Sequence, residues 1–372
     1  KEAIEAYKKS ILLKPDYATA YYNIATALKN QGQLEEAIEA YSKAISLNPD
    51  YADAYNNMGI ALADQGKLKE AVEAYKKSLS LKPDKAETYS NMGNTLQYQG
   101  KLDEAIDAYN KALFLNPDYE AARVHKLHQL AHICDWNSIQ EDSKLIPDLG
   151  ISEKSVSPFS ILTLEDAPER HRIRSEIYAK DRYPQQALKL PTKVSKRPER
   201  IRIGYFSADF KEHAVAYLIA KVLEQHNRDE FEVFGYSLHG NAQSELRQRL
   251  VKSFDCFVDV QSMSDMDVAL RARQDKIDIA IDLTGYTANG RSGVFAYRAA
   301  PIQINYLGYP GTMGADFIDY IVADQNLIPK DFQRFYSEKP IYLPHHYLAQ
   351  DDSSPIANDT PSRSALGLPE KG

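Results

Sequence analysis

The residues best suited to chemistry in this chain stand in three short stretches and one periodic row. Residues 207–215, SADFKEHAV, hold His213, whose imidazole can give or take a proton near neutrality. Residues 284–293, TGYTANGRSG, offer Tyr286, Thr287 and Arg291. Residues 308–314, GYPGTMG, set three glycines and Pro310 around Thr312. A glycine carries no Cβ, so the backbone of such a turn can lie close against a ligand. The row is Asn23, Asn57 and Asn91, which recur at a fixed interval. Each amide offers both a donor and an acceptor, enough to grip a peptide backbone without reading side chains. Every candidate has a plainer alternative: a helix-start histidine bonding backbone, a turn that needs positive φ, or asparagines that keep a helix soluble. His125, His128 and His132 also share helical spacing, but no acid or cysteine completes a ligand set, so a packed or solvated helix face is the expectation.

The three stretches fall at the ends of strand-like runs. IRIGYFSADF, FEVFGYSL, CFVDV, DIAIDLTG, IQINYLG and YIVAD are short and apolar, and HAVAYLIAKVLEQHN, SELRQRLVKSF and DMDVALRARQDK lie between several of them with helical periodicity. Strands alternating with helices predict a parallel, doubly wound sheet. Ligands of such sheets bind outside the carboxyl ends of the strands, where all three stretches lie. No GxGxxG or Walker pattern is present, so this half alone is not an ordinary nucleotide site.

The first third is a repeat array. Pro15, Pro49, Pro83 and Pro117 recur every 34 residues, and three full windows align between them. Tyr21, Tyr55 and Tyr89 hold one aromatic position, Ala25, Gly59 and Gly93 a small one, Ala37, Ala71 and Ala105 another, and Tyr41, Tyr75 and Tyr109 a second aromatic one. This pattern resembles the tetratricopeptide repeat, a pair of helices per 34 residues, stacked into a solenoid with an inner groove. Residues 1–16 supply only the second helix of an earlier repeat.

Bulk composition sets the outer limits. A chain of 372 residues with 43% apolar content can bury two or three cores. No window approaches the apolar length of a membrane span. Net charge of −7 argues against a general nucleic-acid binder. Cys134 and Cys256 stand far apart in sequence and suit a reducing, cytoplasmic setting. The start, KEAIEAYKKS, lacks Met and looks cut. From Tyr119 the period fails. The helical run YEAARVHKLHQLAHICDWNSIQEDSKLI is expected to cap the solenoid, and a helix is expected in APERHRIRSEIYAKDRY. RYPQQALKLPTKVSKRPER reads as an extended linker.

The runs around the three stretches carry a more specific likeness. IRIGYFSADFKEHAVAYLIAKVLEQHNRDEFEVFGYSL, IDLTGYTANGRSGVFAYRAAPIQINYLGYPGTMGADFIDYIVAD and YSEKPIYLP resemble the amino-terminal catalytic lobe of the O-GlcNAc transferase family, glycosyltransferase family 41, and are closest to its bacterial, SPINDLY-like members. With the repeats in front, the resemblance covers nearly the whole chain. It implies an α-solenoid of repeats over residues 1–118, a helical connector and linker over 119–200, a Rossmann-like lobe over 201–350, and a lead into the second lobe of a GT-B glycosyltransferase over 351–372. It further implies an inverting protein O-glycosyltransferase that needs no metal or other cofactor. The donor substrate is a nucleotide sugar, UDP-GlcNAc or, as in the SPINDLY branch, GDP-fucose. The acceptor is a protein or peptide held in the repeat groove, where the family carries asparagine at the positions of Asn23, Asn57 and Asn91. The competing reading is a peptide-binding scaffold without catalysis. Oligomeric state has no signal.

The resemblance assigns residues too. His213 matches the histidine of DFxxH, as general base or positioning group, bonding an incoming hydroxyl or a diphosphate oxygen. Leu307, Gly308, Tyr309 and Pro310, extended by Thr312, match a loop at the sugar end of the donor. Tyr286 and Thr287 match the family's GYT, Tyr286 packing beside the sugar or closing the lobe. Arg291 is expected to anchor its turn. Two departures leave the donor open: Ala214 and Val215 replace a Pro-Thr pair after the histidine, and Ser157 and Phe159 stand where animal members have two histidines. The lysine on the diphosphate would lie in the second lobe, which this sequence, ending SRSALGLPEKG, would only begin. Residues 1–372 alone are therefore expected to be inactive.

Overall fold

A computed structural model describes residues 2–152, 155–184, 199–240, 244–353, 360–369 and 371. Most of the linker expected before the lobe lies outside the described residues. The described residues open with nine helices: α1 (Glu2–Leu13), α2 (Ala18–Lys29), α3 (Leu34–Leu47), α4 (Ala52–Asp64), α5 (Leu68–Leu81), α6 (Ala86–Tyr98), α7 (Leu102–Leu115), α8 (Glu120–His132) and α9 (Trp136–Asp142). The small positions explain how each pair closes. A Cβ on Gly59 would stand 2.6 Å from the Tyr75 ring, and one on Gly93 2.6 Å from the Tyr109 ring. Tyr41, Tyr75 and Tyr109 are correspondingly sunk into the stack. Burying an aromatic ring there stabilises each pair by about 1.5–3 kcal/mol. Helix α8 continues the stack and changes its partners. Its Val124 and Leu127 pack on Ile146, Leu149, Val156 and Ile161 of the connector, which closes the end of the array.

The connector finishes in α10 (Pro168–Arg182). Arg174 on it is wholly buried, paired with Glu165 and donating to the carbonyls of Ile146, Pro147 and Leu149. The lobe then runs β1 (Ile201–Ser207), α11 (Ala214–Gln225), β2 (Phe231–Ser237), α12 (Glu245–Lys252), β3 (Cys256–Asp259), α13 (Asp265–Gln274), β4 (Ile279–Asp282), α14 (Gly293–Ala296), β5 (Ile302–Asn305), β6 (Tyr320–Ala323) and β7 (Lys339–Tyr342). All seven strands are parallel, in the order β3-β2-β1-β4-β5-β6-β7. Apolar side chains fill both faces, as a parallel sheet requires. Ile203, Tyr205, Val233 and Ile281 meet α11 and α12 on one face, while Phe206, Tyr236 and Ala280 meet α13, α14 and Ala179 of α10 on the other. The six apolar runs become β1 to β6. The seventh strand, inside YSEKPIYLP, is too short and too polar to announce itself.

Candidate active site

The strand order reverses between β1 and β4, and their carboxyl ends open a crevice at that switch point. Three loops gather there. The Thr284 hydroxyl accepts from the Ala208 amide at 3.1 Å, tying the loop after β4 to the loop after β1. The loop after β5 crosses the one after β4 so tightly that a Cβ on Gly308 would stand 2.1 Å from the Leu283 carbonyl oxygen. Leu307 just before it holds φ at 73°, a conformation that costs a non-glycine residue about 1–3 kcal/mol.

His213 sits at the start of α11, just past β1. Its Nδ1 accepts from the Val215 amide at 3.3 Å and lies 3.8 Å from Asp209 Oδ2. The helix-capping role is therefore present, and it engages only one of the two ring nitrogens. With Nδ1 committed as an acceptor, the neutral ring carries its proton on Nε2. The side chain is 44% exposed, and Nε2 makes no hydrogen bond among the described residues. In this tautomer His213 donates; acting as a base through Nε2 would require Nδ1 to carry the proton and surrender the cap. Asp209 beside it is buried, and burial raises its carboxyl above the usual range, opposed by His213, Lys211 and His239.

The side chains of the other candidate residues turn inward. The Tyr286 hydroxyl donates to the Met313 carbonyl at 2.7 Å, and its ring packs among Tyr178, Tyr183 and Tyr309. Tyr309 is 1% exposed, and its carbonyl accepts from Asn305. Thr312 donates to the buried Glu338 carboxylate at 2.7 Å, which also takes the Met313 amide at 2.6 Å. The side chains of Tyr286, Leu307, Tyr309 and Thr312 are thus buried, while Gly308, Pro310 and Thr287 are half-buried in the loops after β4 and β5. Thr287 Oγ1 donates to the Thr284 carbonyl at 2.9 Å. Arg291 anchors its turn, bonding Asp265 and the carbonyls of Val260 and Met263.

Two acids at this end escaped the sequence reading. Asp209 and Asp282 are each the carboxylate at or just beyond a strand end, a signal that SADF and AIDL did carry. Asp282 is 1% exposed; its Oδ1 takes the Thr284 and Gly285 amides at 2.9 Å, while Oδ2 has no hydrogen-bond partner among the described residues. Burial pushes its pKa up to about 6, a penalty on ionisation of about 3 kcal/mol. The folded pKa lies above the unfolded one, so the stability linked to this carboxyl is full below pH 3.8 and lost as pH rises through about 6. Asp282→Asn keeps the Oδ1 acceptor and removes the titration. Relative to wild type, the variant is expected to gain stability between pH 4.5 and 7.5 in urea unfolding. An unchanged difference between the two proteins would show that the carboxyl carries no such burden.

In the repeats, Asn57 Nδ2 donates to the Tyr22 hydroxyl at 2.8 Å, Asn56 Nδ2 to Asn57 Oδ1 at 3.2 Å, and Asn91 Nδ2 to Asn56 Oδ1 at 3.2 Å. Asn23 is half-buried outside this chain of amides. Asn56 was invisible in the sequence because Tyr22 and Ser90 fill its equivalent positions in the flanking repeats. His128 and His132 meet edge to face at 4.7 Å, and burial pushes His125 and His128 down to about 4. Among the described residues no group of three or more His, Cys, Asp or Glu could hold a metal ion. Cys134 and Cys256 are free, and no helix among the described residues is long and apolar enough to cross a membrane.

Helical repeats leading through a connector into a doubly wound parallel lobe, with strand-end loops crowded at the switch point, define a repeat-bearing Rossmann-like protein. Residues 178–358 match the family described as Glycosyl transferase family 41, residues 1–32 and 26–66 match TPR repeat, and residues 50–115 match Tetratricopeptide repeat. The chain belongs to this O-GlcNAc transferase family, family 41, with tetratricopeptide repeats in front of its lobe. It is 43% identical over 186 residues to the probable UDP-N-acetylglucosamine–peptide N-acetylglucosaminyltransferase SEC of Arabidopsis thaliana, covering 49% of this chain and 19% of that protein. It is 37% identical over 163 residues to the UDP-N-acetylglucosamine–peptide N-acetylglucosaminyltransferase of Caenorhabditis elegans, covering 44% and 14%. A solved O-GlcNAc transferase point mutant of Thermobaculum terrenum superposes with a TM-score of 0.56 at 27% identity, over 89% of this chain and 58% of that one. The matches thus span less than a fifth of the length of these two curated relatives.

Proposed function

We propose that the chain supplies the acceptor side of a protein O-glycosyltransferase that moves N-acetylglucosamine from UDP-GlcNAc to Ser or Thr hydroxyls. The observation that carries this reading is His213: a partly exposed imidazole that caps α11 through Nδ1 just past the end of β1, at the switch point of a family 41 lobe. The names of the relatives support the donor. In the inverting transfer, the acceptor oxygen bonds to the anomeric carbon as the bond from that carbon to the diphosphate breaks. Charge then gathers on the departing diphosphate, and the hydroxyl proton passes to a base. This chain contributes the Nε2–H of His213 and the positive end of α11, both suited to hold an oxygen that gains negative charge. Gly308 and Pro310 offer the sugar a backbone wall. The repeat groove presents the acceptor, and no cofactor enters the step.

The diphosphate needs a second wall, which we assign to a further lobe outside residues 1–372. Residues 1–372 by themselves are therefore expected to transfer no sugar above background when incubated with radiolabelled UDP-GlcNAc and a Ser/Thr-rich peptide. The enzyme carrying both lobes is expected to label the peptide and release UDP. Robust transfer by residues 1–372 would overturn the division of the site, and no transfer by the two-lobed enzyme would overturn the activity.

A further inference from the structure

The repeat groove and the crevice meet in a cleft that the transfer reaction by itself does not explain. One part, of about 490 Å³, is walled by Asn91, Asn94 and Tyr98 of α6 and by His239 and Asn289 of the lobe. A larger part, of about 1170 Å³, shares Asp64, His239 and Asn289 with it and runs on to the turn between α2 and α3. His239 follows β2, and the Leu238 amide before it bonds the Ser207 carbonyl, which holds this corner beside the loop after β1. His239 is half-buried. Burial, and then the charge of Lys211, hold its imidazole below the ordinary range, against the opposing pull of Asp209. It is thus neutral at neutral pH, with one donor and one acceptor to offer. Among the described residues it makes no hydrogen bond.

We infer that His239 is a specificity-determining residue for the acceptor, touching the polypeptide where it leaves the asparagine row for the crevice. This rests on the transferase reading above. The occupant follows from the walls. The smaller cavity offers amides, a tyrosine hydroxyl and an imidazole, with the Asp64 carboxylate and no lysine or arginine among the described residues lining it. Such a lining bonds main chain and neutral or cationic side chains and disfavours phosphate. Asn91 lies in the same wall as His239, so an extended chain gripped by the row passes the imidazole next.

The test is binding of pools of 15-residue peptides to residues 1–372, each pool holding a central Thr and one randomised position. Wild type is expected to disfavour Asp and Glu at one or two positions beside the contact. His239→Ala is expected to weaken the preferred peptides about five- to tenfold, the scale of one lost hydrogen bond, and to flatten the profile at those positions only. His239→Gln is expected to recover part of it. A merely structural role would scale every pool alike and leave the profile shape intact. A His239→Ala profile superposing on wild type, while the Asn23, Asn57 and Asn91 triple alanine variant loses binding, would overturn the inference and leave the groove reading standing. Binding of no pool by wild type would overturn both.

Discussion

In the two-lobed enzyme, His213→Ala is expected to lower turnover at least about 100-fold. Groups that give or take a proton, or hold an oxyanion, contribute on that scale. The alanine variant alone is ambiguous, because Nδ1 of His213 also caps α11 through the Val215 amide, and a lost cap costs about 0.5–2 kcal/mol. His213→Asn separates the two. Asparagine is among the better N-caps, yet its shorter side chain does not present a donor where Nε2 stands. Thermal unfolding of the asparagine variant is expected to match wild type while its turnover stays low. Near-wild-type turnover in His213→Asn would reduce His213 to a cap.

More so than Gly311→Ala in the same loop, Gly308→Ala is expected to be strongly damaging. Its Cβ would meet the Leu283 carbonyl oxygen at 2.1 Å, and backbone on both sides leaves no side chain to swing away. Overpacking of this kind costs about 1–3 kcal/mol or more and would push the loops after β4 and β5 apart. Gly311→Ala is the control. There the Cβ meets the hydroxyl end of Tyr309 at 2.7 Å, and a ring can shift. The expected order in thermal unfolding is wild type, then Gly311→Ala, then Gly308→Ala, with transferase activity falling in the same order. Equal melting of the two variants would show that the crossing is not the constraint.

The GYPGTMG glycines also mark where the sequence could be read and where it could not. Their closeness to something was legible, because only glycine tolerates such contacts. The partner was not: Gly308 meets a carbonyl of the loop after β4, and Gly314, at φ 59°, meets Ser175 and Glu176 of α10. Those partners are brought together only by the fold. The same holds for Glu338, which accepts from Thr312 across 26 residues of sequence, from a position just before β7. Periodicity, by contrast, is local, so the repeats, six of the strands and their helices were legible from spacing alone. The place of His213, at a helix start just past a strand end, was legible through its motif, but its tautomer depends on a single amide in the following turn.

The amides of the repeats carry one more consequence. Asn91, Asn56 and Asn57 all donate in the same sense, toward the first repeat, and the series ends on the Tyr22 hydroxyl. Turning Asn56 alone would set its oxygen against Asn57 Oδ1 and its nitrogen against Asn91 Nδ2. The row therefore behaves as a compass needle of linked dipoles, whose members must reverse together or stay as they are.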